Sequence, residues 1–374
     1  MFRRIVRIPR GVSGAVAAVV LAATAVATAR GEGAAGAEAL AGQGHTTPTA
    51  LMVFIDYEGA VRPGISPTDL RVQAANVLAA SLSPDGEGVL TYPEIEPSMR
   101  VWGVRTAADL SNDLLHALGS EYGVETVVLS RLVVFSDRLL LLSRGIDRMS
   151  GTVAWATIDE AALGEGFWNP EHFDLERWRG AVAKLEPHGK STRNGQSAGE
   201  GATVLVLPLR PVGLSPHSGE LANHALLHAL LSSQRFRIPD PSLVRNVLRA
   251  KGHDPSMLDM NGRSELLTWY EPSALLVPDL LAFDSEPVSA PNAVDLGIEP
   301  VDLSPISSAR SPLYFQVLAV DCASGQVRSA DAVYLEPDDA VGLFGLTRHV
   351  PLAKRFEEAA AEIVEQMQKR GGNL

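Results

Sequence analysis

The sequence predicts an α/β protein of two tandem units. Each unit is a mixed β-sheet flanked by helices, in the order β-α-β-α-α-β-β-β-α. Three observations carry this reading. Asp147-Arg-Met-Ser-Gly-Thr-Val-Ala-Trp-Ala156 returns as Asp321-Cys-Ala-Ser-Gly-Gln-Val-Arg-Ser-Ala330, keeping Asp, Ser, Gly, Val and Ala. An apolar run stands before and after each copy. The stretch Tyr122–Phe135 aligns without a gap on Tyr270–Phe283, reading helix end, turn and buried strand in both.

The elements follow in order. Thr49–Ile55 and Thr203–Leu209 are continuous apolar runs, as suits strands buried on both faces. A helical pattern comes next, over Leu70–Leu82 after Ser66-Pro67, and over Leu221–Leu231 after Ser218. Short strands with a proline stop are expected at Val89–Pro93 and Phe236–Pro239, with helices opening at Pro97-Ser98 and Pro241-Ser242. Further helices end at Tyr122 and Tyr270. Leu139–Ile146 then pairs with Thr152–Ile158, and Tyr314–Val320 with Gln326–Leu335, across the Asp-x-x-Ser-Gly turns. The Gly supplies a positive φ and the Asp bonds turn N–H groups. Amphipathic helices close both units, through Leu175, Trp178, Val182 and Leu185, and through Leu352, Phe356, Ile363, Val364 and Met367.

The ends read differently. Arg3, Arg4, Arg7 and Arg10 precede an uncharged run, Gly11–Ala29, that finishes in Ala27-Thr28-Ala29. That layout predicts a secretory signal peptide over 1–29, and otherwise an uncleaved membrane anchor. Residues 30–48 make a flexible leader, 49–185 the first unit, 186–201 a linker, and 202–374 the second unit with an insert at 284–311. The expected location is periplasmic or secreted, without a transmembrane span in the mature chain. Removing residues 1–29 takes away four Arg and no acid, which moves the net charge from −12 to −16. That charge argues against nucleic acid, whose binding needs clustered Lys and Arg. Cys322 is the only cysteine, so an internal disulfide is excluded, and it is expected to be buried.

Motifs of catalysis are absent. There is no phosphate loop, no Gly-x-Gly-x-x-Gly after the first strand of either unit, no nucleophile elbow and no His-Glu-x-x-His. His224 and His228 stand four apart, so on a helix they share a face and are the candidate metal ligands. The first unit has no such pair. The prediction is therefore no metal, no cofactor and no catalytic residue, with the histidines as polar residues of an Ala/Leu-rich helix. Trp155, Trp168 and Trp178, with Phe167 and Phe173, are expected to pack where the last strand hands over to the closing helix.

The run Val204-Leu-Val-Leu-Pro-Leu209, then Phe236-Arg-Ile-Pro-Asp240, Pro241-Ser-Leu-Val-Arg-Asn-Val-Leu248 and the Asp321 hairpin resembles a bacterial envelope α/β superfamily. It includes the TolB amino-terminal domain, the CsgG family and the lipoprotein activators of penicillin-binding proteins. The resemblance implies a non-catalytic interaction domain in periplasmic or outer-membrane assemblies, here in two copies. The chain departs from those families in lacking a Cys after its apolar run, membrane hairpins and propeller repeats.

Two functions are then carried forward. One is an exported, non-catalytic envelope protein that binds a partner protein through a sheet edge or the 284–311 insert. The alternative is a secreted enzyme with a site between the units, built from unmatched residues such as His224, His228 and His349.

Overall fold

The computed structural model describes residues 48–57, 66–83, 88–135, 137–164, 167–168, 173–188, 201–208, 210–212, 216–255, 259–282, 313–335 and 352–370. The expected signal peptide at 1–29, the leader up to residue 47, the 284–311 insert, His349 and most of the expected linker lie outside the described residues. The expected element order occurs twice. The first unit contains β1 (Thr49–Tyr57), α1 (Pro67–Leu82), β2 (Val89–Leu90), α2 (Tyr92–Val101), α3 (Asn112–Tyr122), β3 (Thr126–Val134), β4 (Arg138–Asp147), β5 (Val153–Ala162) and α4 (Leu175–Val182). The second contains β6 (Ala202–Val206), β7 (Arg210–Val212), α5 (Pro216–Ser232), β8 (Phe236–Arg237), α6 (Pro241–Ala250), α7 (Met260–Tyr270), β9 (Ala274–Ala282), β10 (Leu313–Val320), β11 (Val327–Leu335) and α8 (Leu352–Arg370).

The sheets have matching strand orders, β2-β1-β3-β4-β5 and β8-β6-β9-β10-β11. In each, the strands joined through helices pair parallel, and the terminal three-strand meander is antiparallel. This is what connection length dictates: a tight turn permits only antiparallel pairing, and a helical crossover permits parallel pairing.

Local chemistry sets the boundaries. Ser66 Oγ accepts from the Thr68 N–H, and Pro67 opens α1 where its missing N–H costs nothing. In α3 the Ser111 side chain caps Leu114, and Gly123 ends the helix at φ 69°. Three boundaries differ from the sequence expectation. β2 is shorter and α2 starts at Tyr92, not at Pro97, because Thr91 and Glu94 form a reciprocal cap; the Thr91 N–H donates to Glu94 Oε2 at 2.7 Å. Pro97 lies inside that helix. α5 likewise begins at Pro216, ahead of Ser218. The first strand of the second unit is split: after Pro208, which has no N–H to give, the chain resumes as β7, still parallel to β9.

The repeated turns are superimposable in their bonding. The Asp147 carboxylate accepts from the Ser150 N–H at 2.7 Å, and Asp321 does so from Ser324 at 2.6 Å. Gly151 and Gly325 then adopt φ of 65° and 72°.

Side-chain alternation along the strands sorts the core into layers. In the first sheet Leu51, Val53, Val128, Leu132 and Leu141 face α1 and α4, including fully buried Trp178. Trp168 contacts Phe167, Phe173 and Trp178, and its indole N–H donates to Phe135 O. The opposite face packs Ala50, Met52, Phe54, Val127 and Leu129 against α2 and α3. In the second sheet Leu205, Leu275 and Cys322 face α6 and α7, while Val204, Leu276, Phe315 and Val317 face α5 and α8.

One core crosses from unit to unit. Val133, Leu140, Leu142, Val153 and Ala156 of the first sheet join the same cluster as α5, α8 and the second sheet. α5 therefore lies between two sheets. The seam is also bonded along the backbone: Thr152 bridges Pro239, the Val153 N–H donates to Ile238 O, and the Asp240 N–H to Gly151 O.

Candidate functional site

The position of α5 explains the histidine pair. This helix buries a second face, which meets backbone carbonyls of β4 and β5. His224 Nε2 lies 2.9 Å from Ser143 O, and His228 Nδ1 lies 2.6 Å from Ala156 O. Imidazole fills a stripe that must be both large and hydrogen-bonding. Its counterpart α1 meets no second sheet among the described residues, and carries no such pair. Burial, reinforced by the Arg144 charge, pushes His224 down to about 3, so it is neutral at physiological pH. Among the described residues no group of three or more His, Cys, Asp or Glu could hold a metal ion. The two histidines also face different surroundings: His224 lines a cavity at the seam, and His228 lies beside Glu357 of α8 in a separate surface recess.

That seam cavity has a volume of about 250 Å³. Its wall on the first sheet is set by strand register. Arg131 on β3 is opposite Leu142 on β4, and Leu129 is opposite Arg144, so all four side chains share a face. The second unit supplies Glu220, Asn223, His224 and Leu227 from α5, and Ser242 and Arg245 from α6. Arg131 pairs with Asp56 and with Glu220. Arg144 pairs with fully buried Asp240 at 2.5 Å and donates to Ser242 Oγ at 2.9 Å. Burial, with the charge of Arg249, holds the Arg245 guanidinium below its ordinary pKa.

None of these arginines stood out in the sequence as site residues. A usable signal was there for two of them. Arg131 and Arg144 each follow a Ser inside a mostly apolar, buried strand, and a charge inside such a run needs a partner. Arg245 looks like any polar position of an amphipathic helix.

A second feature is an open groove of about 670 Å³ on another side of the seam. It runs from α3 and the Asp147 turn to α6 and α7. Asp113, His116 and Arg148 belong both to it and to an adjoining recess that holds Trp102, so the two are continuous. Three large apolar side chains stand exposed along this line: Trp102 at 44 %, Met149 at 71 % and Trp269 at 54 % of their full accessibility.

No protein-family model matches the chain, and no curated protein does. Several solved structures are similar to parts of it. Lipoprotein GNA1162 from Neisseria meningitidis is 13 % identical, covering 39 % of this chain and 87 % of its own, with a TM-score of 0.24. The LpoB C-terminal domain from Escherichia coli is 11 % identical, over 36 % and 83 %, with a TM-score of 0.26. A PelC dodecamer from Paraburkholderia phytofirmans is 10 % identical, over 44 % and 87 %, with a TM-score of 0.24. Likeness at this level carries no argument about family or residues, and the class that the fold itself defines is a mixed α/β protein. Among the described residues no helix is long and apolar enough to cross a membrane.

Proposed function

We propose that the chain is an exported, non-catalytic protein of the bacterial envelope, and that a partner protein docks in the groove flanked by Trp102, Met149 and Trp269. The exposed Trp–Met–Trp line carries this reading. Scattered apolar residues are normal on a surface, but aromatic and Met side chains gathered along a groove mark interaction sites. Export rests on the basic start and the uncharged run Gly11–Ala29. The tandem arrangement brings α3 of one unit beside α6 and α7 of the other, and neither unit alone contains the groove. This surface is a more specific docking site than the sheet edge or insert expected from sequence.

The enzyme alternative finds less support. Of the two described histidines expected in a cleft, His224 lines the seam cavity and His228 lies in a separate recess, and His224 is neutral and bonded to a carbonyl. A photoreactive amino acid placed at Met149, and a control at Gln368 on α8, would decide the matter in intact cells. One discrete adduct from position 149, lost on Trp269→Ser and absent from the control, is expected. Monomer alone from position 149, or equal adducts from both positions, would overturn the proposal.

A further inference from the structure

We infer that the seam cavity is a ligand site for a small organic carboxylate that also presents an O–H or N–H donor, such as a hydroxy or amino acid. Three observations converge. First, the guanidiniums of the cavity wall are not equally satisfied. Arg131 is taken by Asp56 and Glu220, and Arg144 by Asp240. Arg245 makes no hydrogen bond or ion pair among the described residues; Asp109 and Asp240 act on it only through space. A half-buried cation without a counter-ion is costly, and an entering anion removes that cost. Second, Asn223 lines the same cavity from the facing helix, and its buried Oδ1 has no donor among the described residues. A buried acceptor left open calls for a donor that the protein does not supply. Third, Leu129, Leu142 and Leu227 give the cavity an apolar wall. Small-molecule sites have this character: apolar lining with a few convergent polar groups.

The chemistry of the unpaired groups selects the ligand. A single unpaired guanidinium matches one carboxylate, as planar fork to planar fork. A phosphate dianion would bring a second charge to a wall that already holds Glu220. A 2-hydroxy or 2-amino acid places its donor beside its carboxylate and serves both groups with one small body.

The test uses L-lactate, acetate and inorganic phosphate as probes, titrated into the purified protein while the Arg245 Nε–H signal is followed by NMR. Arg245→Gln assigns the signal. Arg245→Lys, which keeps the charge, serves in its place if the first variant does not fold. Saturable binding of L-lactate with a Kd on the order of 1 mM is expected. Acetate, without the donor, should bind roughly threefold to tenfold more weakly. Asn223→Leu should reduce lactate to the acetate level and leave acetate unchanged. Absence of a saturable shift with either carboxylate would overturn the inference. So would tighter binding of phosphate than of lactate, or a lactate affinity, read by isothermal titration calorimetry, that is unchanged when Arg245 is replaced by Gln.

Discussion

Arg144 on β4 and Asp240 at the start of α6 form an ion pair that ties the first sheet to the second unit. Asp240 is fully buried and has a second task, because its Oδ1 accepts the Ser242 N–H and caps α6. Removing the carboxylate therefore strands a guanidinium at the seam and uncaps a helix at once. Asp240→Ala is expected to cost about 3–5 kcal/mol, the scale for breaking a buried pair from one side. The double variant Arg144→Met with Asp240→Ser keeps a capping hydroxyl and leaves no orphaned charge. It should be more stable than Asp240→Ala alone. Urea unfolding of the three proteins measures this, and a double variant weaker than the single would show that the pair is not what holds the seam.

His224 makes the seam sensitive to acid. Its folded-state pKa, about 3, lies below the ordinary 6.5, so the unfolded chain binds the proton more readily. Its contribution is therefore complete above pH 6.5 and is lost as pH falls from there toward 3. The loss has a limiting slope of about 1.4 kcal/mol per pH unit. Arg144 and His228 are the charged and titratable groups acting on it, and both oppose its protonation. Replacing His224 with Gln keeps a donor for Ser143 O but removes the titration. Chemical denaturation at stepped pH should give a flatter profile for His224→Gln across this window. Parallel profiles would remove His224 as the cause.

The two turn glycines share a sequence role but not a setting. Both hold a positive φ, where any residue with a Cβ is strained by roughly 1–2 kcal/mol. A Cβ on Gly151 would also press Leu243 Cδ1, 2.9 Å away, and Leu243 is packed in the α2/α3 core of the first unit. A Cβ on Gly325 would meet the end of the flexible Arg263 side chain, which can swing aside. Gly151→Ala should therefore lower Tm more than Gly325→Ala. Equal losses would mean that φ alone decides both.

These contrasts show where sequence reasoning succeeds. Strand runs, the Ser66-Pro67 and Pro241-Ser242 helix starts, and the Asp-x-x-Ser-Gly turns are local patterns that the structure realises, whereas the start expected at Pro97-Ser98 is displaced to Tyr92. The seam depends on how one copy meets the other. Nothing near His224 in sequence announces that its partner is Ser143 O, or that Arg144 faces Asp240. The histidine pair was visible as a difference between the copies, but its cause, a helix buried on two faces, is a property of the assembled fold. The cavity combines residues from β3, β4, α5 and α6, so no window of sequence contains it.

The outer strand β11 offers a last test. It ends the second sheet, and a strand in that position risks pairing with another chain. Asp331, in its middle, points inward: the side chain is fully buried, and neither carboxylate oxygen has a hydrogen bond among the described residues. Its counter-charge is Arg370 at the end of α8, 3.2 Å away, which also donates to Ala330 O at 3.2 Å. Arg370 is itself mostly exposed, so the pair contributes less than a wholly buried one. Arg370→Ala, leaving the carboxylate alone, is expected to destabilise by roughly 1–3 kcal/mol. Adding Asp331→Val to that variant should restore stability, because the buried charge is gone and a β-branched residue suits the strand. The restored protein should nevertheless self-associate more as its concentration rises, since an inward-facing acid discourages edge pairing. Equilibrium unfolding and sedimentation read the two effects separately. A double variant that stays monomeric would leave Asp331 with a packing role only.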